Sequence, residues 1–545
     1  MKKLFASLIS TIIVLNFCFG QKAQPKSTSQ KPKLVVGIVV DQMKYDYVFR
    51  YWDKLGNGGF KRLMNEGMFC KETHYNYVPT YTGPGHSSIY TGTTPATHGI
   101  VSNDWFVRDS SKTIYCTEDK SVKTVGANDS LGWMSPRNLL TTTIGDELKI
   151  SNTFKSKVIG VALKDRSSIL PAGHSANAAY WWDGITGDWI TSTYYMTTLP
   201  KWVSDFNTQK LAEKYFSQGW NTLLPINQYT ESTADNSSYE GLFRGEKTPV
   251  FPHNIADSNS IDALRYTPWG NTLTRVFAEA AIDGEELGKD SITDMLTVSF
   301  SSTDYVGHKY GTHAIETEDV YLKLDKDLEE FLNFLDKKIG NQNILLFLTA
   351  DHAAIPNPVF LADHKIPAGY FDSKPMIDSL KKTFIKYYAD SNLFATFDND
   401  QIYLNRKLAL EKNIDLKLLQ NNVAEFCAGF QGVHNTLTAS QLNEMEYTKG
   451  VNHLVQMGYN RKRSGDVIIE LEPGLIEWLG KTGTTHGSPY TYDTHVPLWF
   501  YGGLIKNGTT SESIEITDIA ATVSNLLNIE APNGCNGKPI QAICK

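Results

Sequence analysis

The sequence predicts an α/β protein in which helices cover both faces of a mostly parallel central sheet. Segments that are apolar on both faces are typical of buried parallel strands. Helical patterns lie between these segments, the clearest over residues 317–339, where apolar side chains recur every three or four positions. This alternation of strands and helices predicts the fold class. The predicted strands are residues 33–40, 157–163, 295–300, 343–350 and 496–501.

Composition excludes several classes of protein. The chain has 545 residues, 41% of them hydrophobic and 20% charged, so disordered, collagenous and small disulfide-stabilised proteins are excluded. Its formal net charge is −7 and the sequence contains no run of basic residues, which disfavours nucleic acid as a partner. The oligomeric state is left open, with a monomer slightly favoured.

The N-terminus has the pattern of a secretory signal peptide. Lys2 and Lys3 precede an apolar stretch at residues 4–17, and a small residue, Gly20, ends the segment. We expect residues 1–20 to be cleaved and the protein to be exported, either to the periplasm or out of the cell. No later apolar run approaches the roughly 20 residues that span a bilayer, so stable membrane insertion is not expected.

The mature chain is predicted to hold one large domain. Residues 21–32 are polar and Pro-containing, which is typical of a flexible leader. The domain then covers residues 33–545. Two stretches, at about 168–270 and 358–480, break the strand–helix rhythm and are interpreted as insertions that form a cap beside the site.

The cysteines leave their pairing open. Five remain after signal cleavage, and none lies in a Cys-x-x-Cys pair, so a thiolate metal site is not expected. Cys535 with Cys544, or Cys70 with Cys116, are possible disulfides in an oxidising compartment.

Four separated motifs carry Asp and His residues at strand ends or helix starts. Carboxylate oxygens with imidazole nitrogens suit zinc in a catalytic setting, where one coordination position stays open. Three Asp and three His are the right number to hold two zinc ions, and two such ions can promote an in-line displacement. The six residues are Asp41, Asp304, His308, Asp351, His352 and His486.

A hydroxyl is predicted at the start of a helix among these motifs. Thr82 precedes Gly-Pro-Gly and a helix that begins near His86. The N-terminus of a helix has unpaired N–H groups and the positive end of the dipole, which stabilise an alkoxide and a phosphate. Taken alone, Thr82 and Asp41 are equally well explained as helix caps. The combined set favours a metal site.

With these motifs, the sequence resembles the alkaline phosphatase superfamily, and most closely the flavobacterial alkaline phosphatases of PafA type. The resemblance covers nearly the whole mature chain. It implies one zinc site made by Asp304, His308 and His486, and a second made by Asp41, Asp351, His352 and the oxygen of Thr82. It also implies that Thr82 attacks phosphorus to form a phosphothreonine, and that phosphate is held by Asn103, Lys164 and Arg166.

These last three residues favour phosphate monoesters. A monoester dianion offers three oxygens and about two negative charges, for which Lys164, Arg166 and the amide of Asn103 supply donors and charge. A diester carries one charge and a second organic group. The alternative function is a phosphodiesterase or nucleotide pyrophosphatase of the same superfamily. A sulfatase is disfavoured, because the sequence at Thr82 lacks the Cys/Ser-x-Pro-x-Arg pattern.

Two further alternatives remain. His495 is the main rival to His486 as a metal ligand, but it directly precedes a predicted core strand, so we expect it to pack or to support a ligand. His86, His98 and His313 are likewise expected to be structural. A non-catalytic binding protein on the same fold is disfavoured, because it needs neither a nucleophile nor two metals.

Overall fold

The central strand of the main sheet begins almost at the first residue that the structure describes. The structure is a computed structural model, and it describes residues 31–478 and 480–544. The predicted signal peptide at 1–20, and residues 21–30 of the predicted leader, lie outside the described residues.

The described residues form eighteen strands. They are β1 Leu34–Val40, β2 Met68–His74, β3 Asp104–Val107, β4 Lys112–Tyr115, β5 Thr124–Val125, β6 Val158–Ala162, β7 Ala178–Trp182, β8 Trp189–Ser192, β9 Asp294–Phe300, β10 Ile344–Thr349, β11 Gly369–Tyr370, β12 Phe394–Asp398, β13 Gln401–Leu404, β14 Val433–Thr438, β15 Val467–Leu471, β16 Leu475–Ile476, β17 His495–Gly502 and β18 Gly508–Glu515.

Twenty α-helices connect and cover these strands within the described ranges. They are α1 Tyr47–Arg50, α2 Phe60–Glu66, α3 Thr82–Thr91, α4 Pro95–His98, α5 Ile144–Ser151, α6 Asp165–Ala172, α7 Lys201–Asn207, α8 Leu211–Phe216, α9 Trp269–Gly284, α10 Ser302–Tyr310, α11 Ile315–Lys338, α12 Pro358–Asp363, α13 Ser373–Tyr388, α14 Arg406–Glu411, α15 Leu416–Ala428, α16 Ala439–Glu444, α17 Gly450–Gly458, α18 Thr491–Thr494, α19 Asp518–Leu527 and α20 Gln541–Cys544.

Ten strands form one mixed sheet, in the order β18-β2-β17-β10-β1-β9-β6-β7-β8-β5. The five central strands from β10 to β7 are parallel, and every residue of β1, β6, β9 and β10 is buried. Such strands are buried on both faces because helices cover the sheet. The α/β fold predicted from the sequence is confirmed.

The late apolar segment differs from its neighbours in direction. The sequence predicts residues 496–501 as a strand, and β17 forms there, but it pairs antiparallel with β10 and with β2. The sheet is therefore parallel at its centre and has antiparallel pairs on both flanks, with one further parallel pair, β2 with β18, at one edge. Periodicity identifies a buried strand but carries no information about its direction.

The two stretches that break the rhythm have different structures. Part of the stretch at about 168–270 forms β7 and β8, which extend the main sheet as a hairpin. The stretch at about 358–480 holds a separate four-stranded sheet, β12-β13-β15-β14, with its own apolar cluster that includes Leu380, Leu419 and Val467. A cap role for both stretches stays a prediction.

Two smaller findings concern the cysteines and membranes. The five cysteines among the described residues are free thiols, so neither of the two disulfides considered from the sequence is present.

No helix in the described part of the chain is both long and apolar enough to cross a membrane.

Truncation of a central strand should destabilise the fold. Leu346 in β10 is fully buried, so Leu346→Ala removes apolar contacts and leaves a cavity, at a cost of about 2–5 kcal/mol in the free energy of unfolding. Leu410→Ala is the matched control, because Leu410 is 78% exposed. Urea denaturation followed by tryptophan fluorescence measures both. Equal midpoints for the two variants would contradict this account of the core.

Candidate active site

Three buried carboxylates meet at the carboxyl ends of the central strands. Asp41 follows β1, Asp351 lies two residues beyond β10, and Asp304 is in the first turn of α10, just after β9. Each is 2% exposed or less. Because β10, β1 and β9 are adjacent and parallel, their carboxyl ends meet at one edge of the sheet, where α/β proteins bind ligands.

One ammonium group balances part of this charge. Lys164 follows β6 and is buried, and its Nζ lies 2.7 Å from Asp41 Oδ2 and 2.5 Å from Asp304 Oδ2. Burial, with the carboxylates of Asp304 and Asp351, raises the pKa of Asp41 well above its usual range. Burial also raises the pKa of Asp351 to about 7. The centre therefore has more negative charge than its own lysine compensates.

Three histidines direct the same ring nitrogen into the centre. In each, Nδ1 is within hydrogen-bond distance of a backbone carbonyl oxygen, which can only accept, so Nδ1 carries a proton and Nε2 is the nitrogen that faces the carboxylates. Such a bond to the remote nitrogen is typical of metal-ligating histidines. The pairs are His308 with Thr484 at 2.8 Å, His486 with Thr80 at 2.6 Å, and His352 with Ala353 at 3.1 Å.

The donors fall into two adjoining groups that fit divalent cations. Within each group the candidate ligand atoms lie within 4.8 Å of one another; the groups are Asp304, His308 and His486, and Asp41, Asp304 and His352. Asp351 joins the second group, because its Oδ2 is 3.5 Å from His352 Nε2. Three buried atoms there have no hydrogen-bond partner among the described residues: Asp41 Oδ1, Asp351 Oδ2 and His352 Nε2. Unpaired buried donors and acceptors are costly, and a cation satisfies all three.

The start of α3 lies directly against Asp351. A side chain at Gly85 would place its Cβ 2.2 Å from the carbonyl oxygen of Asp351, so only glycine permits this approach. Thr82, the first residue of α3, is 1% exposed. Thr82 therefore lies in the first turn of a helix that contacts Asp351, as predicted; the helix begins at Thr82 itself, four residues earlier than the start near His86 that the sequence predicts.

Asn103 and Arg166 keep donors free near this helix. Asn103 Oδ1 accepts from the N–H of Gly83 at 2.8 Å, which leaves its Nδ2 to donate elsewhere. Arg166 Nη1 donates to the hydroxyl of Tyr115 at 3.0 Å, while its buried Nε has no partner among the described residues. Both residues can therefore supply N–H groups to an anion.

Gln42 was not identified from the sequence. Its backbone N–H donates to Asp351 Oδ1 at 3.1 Å, and its Nε2 donates to Asp304 Oδ1 at 2.6 Å. It adopts a φ of 63°, an uncommon left-handed conformation for a residue with a side chain. A Cβ at Gly307 would lie 1.8 Å from Gln42 Oε1. The only signal in the sequence was its position next to Asp41.

Two other histidines clarify the assignment. His86, expected to be structural, lies with Nδ1 2.9 Å from the carbonyl of Thr82 and 3.3 Å from Asp351 Oδ2, so it also contacts the site. His495 lies elsewhere: its Nε2 is 2.9 Å from the carbonyl oxygen of Lys71, and it stacks on His74. The structure therefore favours His486 over His495 as a ligand.

Known proteins resemble this chain over nearly its whole length. Residues 35–489 match the family described as type I phosphodiesterase / nucleotide pyrophosphatase. Alkaline phosphatase PafA of Elizabethkingia meningoseptica is 47% identical, over 98% of both chains. The crystal structure of wild-type PafA superposes with a TM-score of 0.91, covering 94% of this chain and 99% of that one. A protein of Myroides odoratus named calcium-transporting ATPase is 45% identical over 98% of this chain and 99% of its own.

The family match, the fold and the sequence identity agree with one another and with the resemblance inferred from the motifs. The chain therefore belongs to the type I phosphodiesterase / nucleotide pyrophosphatase family of the alkaline phosphatase superfamily, and it is an enzyme of the alkaline phosphatase group.

Proposed function

We propose that the protein is an exported, zinc-dependent phosphomonoesterase that hydrolyses organic phosphate monoesters and releases inorganic phosphate. The observation that carries this proposal is the contact between Gly85, in the helix that begins at Thr82, and Asp351 in a centre of excess buried carboxylate. The relatives named alkaline phosphatase support the phosphomonoesterase activity, and the geometry of the site supports the finer proposals on metal and nucleophile.

Two zinc ions per chain are proposed for the two donor groups. Asp304, His308 and His486 would hold the first, and Asp41, Asp351, His352 and the oxygen of Thr82 would hold the second. When bound, zinc supplies positive charge and lowers the pKa of coordinated oxygen ligands. The nitrogen and oxygen donors suit zinc, and the orphaned atoms of Asp41, Asp351 and His352 support a cation there.

Thr82 is proposed as the nucleophile. Its hydroxyl loses a proton to solvent and its oxygen bonds to phosphorus while the bond from phosphorus to the alcohol oxygen breaks. This gives a phosphothreonine and, once the alcohol oxygen takes up a proton from solvent, the free alcohol. Water then attacks the same phosphorus, releases inorganic phosphate and restores the threonine. The helix dipole of α3 stabilises the alkoxide form of Thr82 and the negative charge that returns to its oxygen when the phosphothreonine is hydrolysed.

Lys164, Arg166 and Asn103 are proposed to bind the phosphate. The ammonium of Lys164 lies beside both proposed donor groups, in contact with Asp41 and Asp304, and would supply positive charge to the phosphate oxygens there. The unpartnered Nε of Arg166 and the free amide of Asn103 add directional donors. The two positive charges of Lys164 and Arg166 match the two negative charges of a monoester better than the single charge of a diester. A phosphodiesterase stays the alternative function, because the family is named after that activity.

Export is proposed from the sequence pattern of residues 1–20. That segment lies outside the described residues, so the proposal depends on its two lysines, its apolar stretch and the small residue at its end.

Replacement of the nucleophile should separate chemistry from metal binding. Thr82→Ala is expected to lower kcat for nitrophenyl phosphate by at least about a thousandfold, because the covalent route is lost. Zinc content, measured by mass spectrometry, should stay within error of the wild type, since the Asp and His donors remain. Thr113→Ala, at an exposed position, is the control. Unchanged turnover in Thr82→Ala would overturn the covalent mechanism.

Metal removal should abolish activity and weaken the fold together. A chelator is expected to eliminate hydrolysis of nitrophenyl phosphate and to lower Tm, because three carboxylates are then left buried with one lysine. Zinc should restore both. The matching diester, assayed in parallel, should be a poorer substrate. A preference for the diester would move the protein to the alternative function, and activity that survives chelation would refute the metal assignment.

Arg166 should discriminate monoesters from diesters. Arg166→Ala is expected to lower kcat/KM for the monoester by about 10²–10³-fold, the usual effect of losing one charged donor to the reacting group. The diester should lose less, because it carries one negative charge instead of two. Arg166→Lys keeps the positive charge but loses the planar pair of N–H donors, so its kcat/KM for the monoester should lie between those of the wild type and Arg166→Ala. Equal losses on both substrates would remove the argument for monoester preference.

A further inference from the structure

A cavity of about 240 Å³ adjoins the proposed catalytic centre. Tyr81, directly before Thr82, and the proposed ligand His486 line one side. Residues of the four-stranded sheet, from the β12–β13 turn and from β15, line the other. Small-molecule pockets commonly measure about 300–1,000 Å³, so this cavity suits a small group rather than a nucleoside.

The cavity is strongly acidic. Its lining includes four carboxylates and, among the described residues, no lysine or arginine. Glu470 is 5% exposed and Asp493 is 1% exposed, yet one oxygen of each has no hydrogen-bond partner among the described residues. Buried carboxylate oxygens normally have partners. The four carboxylates are those of Asp400, Glu470, Glu477 and Asp493.

Asp400 is held at the cavity by an unusual turn. Asn399 and Asp400 connect β12 to β13, with φ angles of 51° and 55°. Two consecutive left-handed residues make the tight hairpin turn that usually contains glycine. The carbonyl of Asp400 accepts from the N–H of Ile469 at 2.8 Å, while its buried Oδ1 has no partner within the described chain. Burial raises the pKa of Asp400 and of Glu470 to about 7.

We propose that this cavity receives the alcohol portion of the substrate and selects alcohols that carry an organic ammonium group. The inference rests on the proposed function, because it places the phosphate at Thr82 and the rest of the ester beyond it. An ammonium donates up to three hydrogen bonds, and its positive charge compensates the carboxylates, which have no lysine or arginine beside them in the described lining of the cavity. The ring of Tyr81 adds an aromatic surface of the kind that attracts cations.

An organic cation fits this cavity better than a metal ion. A metal requires several ligand atoms close together. Among the described residues, none of the groups of three candidate ligands includes a carboxylate that lines this cavity. An extended ammonium can instead engage carboxylates that lie further apart.

The test compares two substrates of the same size. Aminoethyl phosphate and propyl phosphate differ by one ammonium in place of one methyl group. The double variant Asp400→Asn/Glu470→Gln keeps the side-chain shapes, and asparagine tolerates the left-handed turn. We expect it to lose about tenfold in kcat/KM for aminoethyl phosphate, which corresponds to roughly 1.4 kcal/mol, and less than about twofold for propyl phosphate. The two esters differ in intrinsic reactivity. The informative quantity is therefore the ratio of kcat/KM between wild type and variant, taken separately for each substrate.

The control and a second readout separate the possible failures. Glu472→Gln removes an exposed carboxylate beside β15 and should leave both substrates unaffected. Calorimetry with ethanolamine should detect binding to the wild type and weaker binding to the double variant. Equal losses on both substrates, or no loss on either, would overturn the subsite. If the wild type hydrolyses no monoester, the proposed function fails. Calorimetry then tests the subsite independently: the subsite is overturned if ethanolamine does not bind the wild type, or binds the wild type and the double variant equally.

Discussion

The constraint on which the site depends is the burial of three aspartates at one edge of the sheet. Asp41, Asp304 and Asp351 are almost fully buried, and isolated buried carboxylates are too costly to persist without compensation. Lys164 provides one positive charge and Gln42 provides two hydrogen bonds, yet unpaired atoms remain. The excess negative charge is what makes the centre suitable for cations, and it links metal binding to the stability of the central strands.

The positions of the site residues on strands and helices set the geometry of the site. The carboxylates follow the ends of adjacent parallel strands, so strand pairing brings the three segments to one edge, and the residues just beyond the strands set the final spacing. The nucleophile candidate is brought in by a helix, and Gly85 lets that helix touch the backbone of Asp351. Groups carried on rigid elements hold their positions more closely than groups on loops, which suits chemistry that requires in-line attack.

The second stretch, at about 358–480, gives the molecule a part that is separate from the chemistry. Its four-stranded sheet has an apolar cluster of its own, and it meets the catalytic centre at the acidic cavity beside Tyr81 and His486. The proposed phosphate-binding donors and the cavity carboxylates come from different regions of the chain. On these two proposals, recognition of the alcohol and turnover of the phosphate would depend on different parts of the chain.

The sequence by itself determined five of the eighteen strands in the described residues, the α/β class and the candidate donors, because periodicity and the residues at strand ends are local properties. It placed Asp41, Thr82, Asp351 and His352 correctly at strand ends or a helix start. Tertiary structure alone decided the direction of β17, the role of Gln42 and the existence of the cavity. Gln42 contacts partners 262 and 309 residues away, and Asp400 meets β15 through a hairpin turn; such contacts depend on how distant segments pack, which no local pattern records.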